Sequence, residues 1–235
     1  MTLFLASVRD AGEAELALGA GADVIDLKDP SQGALGALAD ETVAACVQAV
    51  AARAPVSATV GDLPMQPARL RHAVRAMAET GVDYVKLGLF PDGDAAACLA
   101  ALEEEARRVR LVLVAFADAM PAFDAVAAAK KIGAHGIMLD TMRKDGRSLL
   151  DHADRDMLAR FVEAAKADGL AVGLAGSLRA NHVPELLRLK PDLLGFRGAL
   201  CREGIRGRAL DADACTAIRA LIPRAAAPAK TGLAA

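Results

Sequence analysis

The stretch Ala20-Gly21-Ala22-Asp23-Val24-Ile25-Asp26-Leu27-Lys28-Asp29-Pro30 decides the fold. Gly21 follows a helix-like segment, where helix C-terminal caps are found. The residues up to Lys28 read as a buried strand that ends in two charged side chains, Asp26 and Lys28, two positions apart. Side chains at i and i+2 of a strand share a face, so both point into whatever the strand encloses. A buried lysine is costly unless it is paired or chemically used. Desolvation beside other cations lowers its pKa and yields an amine nucleophile, the signature of Schiff-base chemistry.

Outward from this stretch the same phrase returns, as Thr80-Gly81-Val82-Asp83-Tyr84 and Ile132-Gly133-Ala134-His135-Gly136. Strands are expected near 2–7, 22–28, 56–60, 83–88, 110–116, 135–140, 170–174 and 192–196. Helices are expected near 10–20, 38–53, 66–80, 93–108, 121–132, 154–168, 179–189 and 211–221. Strands alternating with helices imply parallel βαβ units. Eight such units in roughly 220 residues match an α/β fold of the (β/α)8 TIM-barrel type. A doubly wound open sheet is the competing architecture, weakened because no GxGxxG turn follows the first strand. One barrel domain is expected over 1–223. The Ala/Pro/Lys/Gly-rich residues 224–235 have no periodic face and are expected to form a flexible tail.

Composition removes several functions. Aromatic residues make up 3% and tryptophan is absent, which argues against a base-stacking surface. A net charge of -2 gives no reason to expect nucleic acid or an anionic membrane as partner. Residues 1–7 read as a strand rather than a signal peptide. The apolar run 111–117 is too short to span a bilayer. Four scattered cysteines without a CxxC pair suit reduced thiols in a cytoplasmic protein. No two histidines have metal-ligand spacing, so neither a catalytic metal nor a cofactor is expected. The alanine-rich outer helices make a homo-oligomer the expected assembly.

Active sites of such barrels lie at the C-terminal ends of the strands. Those ends carry Ser7-Val8-Arg9, Asp26 and Lys28, Thr59 and Asp62, Lys86, Asp118, Asp140 with Arg143-Lys144, Gly176-Ser177, and Arg197-Gly198. Lys28, Lys86, Asp140 and Arg197 come from alternate strands and are expected in one charged layer, with Asp26 one layer lower. Lys86 and Lys144 would lower the pKa of Lys28, while Asp26 and Asp140 orient the amines and carry protons. The loops after strands 7 and 8 often bind phosphate in barrels. Here Gly176, Ser177, Arg197 and Gly198 are the candidate phosphate ligands, and Arg9, Arg143 or Lys144 would hold a second phosphate.

Asp26-Leu27-Lys28-Asp29-Pro30, Gly33-Ala34-Leu35-Gly36, Asp83-Tyr84-Val85-Lys86-Leu87-Gly88, Leu139-Asp140-Thr141, Lys144-Asp145-Gly146 and Gly195-Phe196-Arg197-Gly198-Ala199-Leu200-Cys201 together resemble the (5-formylfuran-3-yl)methyl phosphate synthases. The resemblance covers roughly residues 2–222. It implies an aldolase-like barrel that condenses two molecules of glyceraldehyde 3-phosphate into a phosphorylated furan aldehyde, for methanofuran-type cofactor synthesis. It implies Lys28 as the Schiff-base lysine and Lys86 as proton acceptor, with Asp26, Asp140 and Lys144 as further active-site residues. The residues themselves support an amine-dependent lyase acting on a phosphorylated substrate. They leave open another Schiff-base aldolase of sugar phosphates, or a non-catalytic barrel that binds a phosphorylated metabolite.

Overall fold

The structure, a computed structural model, describes residues 1–224. Residues 225–235, and with them nearly all of the expected tail, lie outside the described residues. Eight strands alternate with eight helices: β1 (Leu3–Val8), α1 (Ala11–Gly19), β2 (Val24–Leu27), α2 (Asp40–Val50), β3 (Val56–Thr59), α3 (Pro67–Glu79), β4 (Tyr84–Gly88), α4 (Ala95–Ala106), β5 (Leu111–Phe116), α5 (Ala125–Lys131), β6 (Gly136–Asp140), α6 (Arg155–Ala167), β7 (Ala171–Leu174), α7 (Val183–Leu187), β8 (Leu193–Phe196) and α8 (Ala212–Leu221). The strands pair in parallel and in sequence order, and β1 closes on β8. This is the (β/α)8 barrel, and the open-sheet alternative falls with the β1–β8 pairing.

All eight helices fall within their expected spans, and α5 and α7 are much shorter than expected. α5 begins at Ala125 because Asp124 caps it, accepting from the Val126 and Ala127 N–H groups. The segment expected as helix over 179–189 opens as a 3-10 turn, Ala180–His182, before α7. Among the described residues no helix is long and apolar enough to cross a membrane. All four cysteines are buried free thiols.

The bottom of the barrel explains three carboxylates that belong to no chemistry. Asp23 accepts from the Phe4 N–H, Asp83 from the Val56 N–H and Asp192 from the Val172 N–H, each at 2.8 Å. Each acid precedes a strand and closes the N-terminal end of a neighbouring one, where the ladder would otherwise leave a donor unpaired. Two of the three, Asp23 and Asp83, belong to Gly-x-Asp phrases, so that phrase serves as a strand-entry device, and Asp192 does the same after Lys190-Pro191.

The apolar core lies mainly between the strands and the helix ring, where Phe4, Ile25, Leu87, Leu113 and Ile137 are fully or almost fully buried. Inside the barrel the lining is divided. Val114, Phe116, Met138 and Ala175, from β5, β6 and just after β7, form an apolar cluster with Ala34 and Leu35. On the β1–β4 side, Ser7, Asp26, Ser57 and Lys86 are buried instead. Polar groups in such a place must satisfy one another.

Candidate active site

They do so around Asp26. In the ladder Asp26 lies opposite Ser7 of β1 and Ser57 of β3. The Ser7 hydroxyl donates to Asp26 Oδ2 at 2.9 Å, and the Ser57 hydroxyl donates to Oδ1 at 2.6 Å. Lys86 Nζ completes the set, donating to Oδ1 at 2.9 Å. Burial works to raise the Asp26 carboxyl, but Lys86, Lys28 and the Ser57 hydroxyl overcome it and hold the acid below its usual range.

β2 ends at Leu27, yet the Lys28 N–H still reaches the Val8 carbonyl at 3.0 Å. The ladder therefore runs one residue further, and Lys28 keeps the inward parity of Asp26. Among the described residues the Lys28 amine donates no hydrogen bond and has no ion-pair partner, although it lines the cavity and is 7% exposed. Burial brings its pKa down from 10.5 to about 8. Asp140 and Asp26 pull upward, and Lys86 and Lys144 push further down.

The opposite wall is a second ion pair. Lys144 Nζ donates to Asp140 Oδ1 at 3.0 Å and to the Thr141 carbonyl at 2.6 Å. Burial opposes ionisation of Asp140, but Lys144, Lys28 and the Thr141 N–H bring it to about 2. Asp26, Lys28, Lys86, Asp140 and Lys144 thus line one cavity of about 320 Å³, with Leu5 and Met138 also in its wall.

Gly176, Ser177, Arg197 and Gly198 line the same cavity. Gly176 has φ +109°, and a Cβ there would lie 2.9 Å from Thr141 Cγ2, so only glycine fits. Ser177 also takes a left-handed conformation, φ 48°, which is strained for a residue with a Cβ. The N–H groups of Ser177, Leu178, Gly198 and Ala199 have no backbone or side-chain acceptor among the described residues. Clustered free N–H groups on strained loops suit an anion.

Arg197 does not join the charged layer, and this corrects its expected role. Its Nε donates to the Arg206 carbonyl, Nη1 to the Ser7 carbonyl and Glu13 Oε2, and Nη2 to Glu13 Oε1 and the Arg208 carbonyl. A guanidinium has five N–H donors, and all five are engaged, so none is left for a phosphate. The expected second-phosphate arginines also lie elsewhere. Arg9 pairs with Glu13 and bonds the Gly207 carbonyl, and the Arg143 side chain is exposed; neither lines the cavity. Besides the fully engaged Arg197, the arginines that line it are Arg179 and Arg206.

The mouth carboxylates Asp62 and Asp118 are loop anchors. Asp62 accepts from the Ala34 and Leu35 N–H groups, and Asp118 from the Met142 and Arg143 N–H groups. Each pins a neighbouring loop that carries cavity residues. Sequence reading missed Ser57, Glu13 and Arg206. Ser57 sits at an inward strand position opposite Asp26, a signal available only once the register is fixed.

The chain was compared with known proteins on this basis. Residues 4–219 match the 4-HFC-P synthase family. A Methylorubrum extorquens protein provisionally named (5-formylfuran-3-yl)methyl phosphate synthase is 44% identical over 220 residues, covering 92% of this chain and 91% of the relative. The (5-formylfuran-3-yl)methyl phosphate synthase of Methanocaldococcus jannaschii is 35% identical, covering 87% and 92%. That of Methanopyrus kandleri is 36% identical, covering 83% and 88%. Among solved structures, phosphoribosyl anthranilate isomerase from Thermus thermophilus superposes with a TM-score of 0.66 at 18% identity, covering 94% of this chain and 98% of that one. A 3-hexulose-6-phosphate synthase does so at 0.58 and 18%, covering 95% and 100%. These two likenesses concern the fold alone. By its matched length and its relatives, the chain belongs to the (5-formylfuran-3-yl)methyl phosphate synthase family of enzymes.

Proposed function

We propose that the enzyme condenses two molecules of glyceraldehyde 3-phosphate into (5-formylfuran-3-yl)methyl phosphate through a Schiff base on Lys28. The observation that carries this reading is the Lys28 amine, buried in the cavity without an ion pair among the described residues and brought to about 8. At pH 7 roughly one-tenth of such an amine is free base, against well under one-thousandth of an ordinary lysine.

The stoichiometry supports the substrate. The product named for the family has six carbons and one phosphate ester. Two triose phosphates supply six carbons and two phosphates, and losing one phosphoric acid and two waters gives the product. No oxidant or reductant is needed.

The residues fit the early steps. The Lys28 amine adds to the first aldehyde. The Lys86 ammonium gives a proton to the departing carbinolamine hydroxyl, water leaves, and an iminium forms on Lys28. Lys86, now a free amine held beside Asp26, removes the proton from the adjacent carbon and an enamine results. The enamine carbon bonds to the second aldehyde, whose oxygen takes a proton from Lys144. Loss of phosphate, ring closure and dehydration produce the furan, and hydrolysis frees Lys28. The N–H groups after β7 and β8 hold one substrate phosphate. The product would supply the furan part of a methanofuran-type one-carbon carrier.

The test is incubation with glyceraldehyde 3-phosphate alone. Mass spectrometry should find the furan phosphate and one equivalent of inorganic phosphate, and borohydride should fix a triose on the Lys28 peptide. A furan product without any trapped lysine would remove the Schiff base from the mechanism. Trapping without a furan would leave a different aldolase.

A further inference from the structure

Arg206 and Arg197 differ in one respect that the rest of the site makes consequential. All five donors of Arg197 are engaged, whereas the Arg206 guanidinium makes one hydrogen bond among the described residues, Nη2 to the Gly33 carbonyl at 3.0 Å. The Arg206 backbone is fixed as well, since its carbonyl accepts from Arg197 Nε at 3.0 Å. The Glu13–Arg197 pair therefore builds the loop from which Arg206 projects. That loop follows β8, and Gly33 lies in the loop after β2. The Arg206 side chain consequently passes the β1 position and carries its charge to the mouth above β2, where Lys28 stands. It is partly buried and lines the catalytic cavity. Burial works most against its cation and Arg197 adds to that, while Asp140 and Asp62 favour it. The free N–H groups of Ser177 and Leu178 lie after β7, on the other side of β8.

The geometry points to Arg206 as the ligand for the phosphate of the second aldehyde, a subsite distinct from the N–H cluster after β7 and β8. Two phosphorylated substrates in one cavity need two anion positions, and each must be fixed before the carbon–carbon bond forms. Arg206 supplies the second without rearrangement, because one N–H of Nη2 is tied to Gly33 while its other N–H, together with Nε–H or Nη1–H, forms an edge that has no acceptor among the described residues. A planar guanidinium with two adjacent donors matches a phosphate in a bidentate manner that lysine cannot reproduce. This inference rests on the two-triose reading proposed above.

Two measurements separate the inference from that reading. Inorganic phosphate titrated calorimetrically needs no chemistry: the wild-type chain should bind two phosphates and the Arg206→Ala variant one. Borohydride trapping of glyceraldehyde 3-phosphate on Lys28 reports the first substrate, and furan formation reports both. In Arg206→Ala the half-saturating concentration for furan formation should rise about 10- to 100-fold, as loss of a charge-assisted contact predicts. Half-saturation for trapping should move less than twofold. Arg206→Gln loses the charge and the exposed Gly33 contact but keeps a neutral polar side chain, so its melting temperature should fall by no more than about 4 °C and it should repeat the furan defect. Arg206→Lys should recover only part of it. Equal phosphate stoichiometry in wild type and variants would overturn the inference. So would equal weakening of trapping and furan formation, or a normal furan KM in Arg206→Gln. If wild-type enzyme fails to trap, the Schiff-base reading falls and the phosphate count still decides Arg206.

Discussion

Lys86 Nζ lies 2.9 Å from Asp26 Oδ1, and this bond divides the labour between two lysines that share one cavity. The paired lysine is held in place by the Asp26 carboxylate. Lys28, two residues beyond Asp26, is left as the amine without a partner among the described residues. The sequence places both lysines at strand ends, but only the β2–β3–β4 register shows which of them the carboxylate takes.

The first prediction concerns that division. Burial is the largest cause of the lowered Lys28 pKa, and Lys86 contributes far down the order. Lys86→Ala should therefore still trap triose on Lys28 at pH 8, while furan formation falls by at least about 10²-fold, the usual scale of a lost general acid–base. Trapping confined to pH 10 would instead make Lys86 an electrostatic activator of Lys28.

The second prediction is a trade of stability against function at Lys28 itself. Its pKa falls from 10.5 in the unfolded chain to about 8 in the fold. Between these values the unfolded chain binds more protons, so stability rises with pH there, and below about 8 the penalty is constant. The penalty is about 3 kcal/mol. Lys28→Met should be inactive and more stable by about that amount at pH 7, with the difference closing by pH 10.5. Urea unfolding at pH 7 and at pH 10.5 measures it. A destabilised variant at pH 7 would mean that the lysine stem and its neighbours stabilise the fold more than its charge costs.

A third prediction follows from the Glu13–Arg197 pair. The two side chains are 6% and 5% exposed, and Nη1 lies 2.5 Å from Oε2. Glu13 also accepts from the Arg9 and Leu210 N–H groups. Removing one partner of a buried pair leaves the other uncompensated and costs about 3–5 kcal/mol. Arg197→Ala should lower the melting temperature by about 6–20 °C in a chain of this size. A variant with wild-type stability and a raised KM alone would return Arg197 to the phosphate site.

These cases show what could be read in advance. The barrel was legible because Gly21, Gly81 and Gly133 separate helix from strand by a rule local to a few residues. Asp26, Lys28, Lys86 and Asp140 were legible because strand parity fixes which way a strand-end side chain faces. Arg197 was misread because its orientation depends on Glu13, 184 residues away, and no local pattern records that contact. Arg206 was invisible for a similar reason. It sits among irregular 3-10 turns, Gly198–Leu200 and Arg202–Gly204, and the segment lacks the periodicity that assigns a face.

The last prediction runs against intuition. Asp140 is the largest influence that raises the Lys28 pKa, and it also holds Lys144 at 3.0 Å. Asp140→Asn removes the carboxylate and leaves the Lys144 cation, so both changes disfavour the Lys28 ammonium. The pH midpoint for borohydride trapping should move below 8, and trapping at pH 7 should become faster than in wild type. Furan formation should nevertheless fall, because Lys144 loses the partner that aims it at the second aldehyde oxygen. The acid limb of stability provides an independent check. The Asp140 carboxyl is brought to about 2 from 3.8, so it contributes stability above 3.8 that is lost as pH falls through about 2. The contribution is about 2 kcal/mol, and the Asp140→Asn stability curve should be flatter over that window. Trapping that shifts to higher pH would show that Asp140 acts on Lys28 by some route other than its charge.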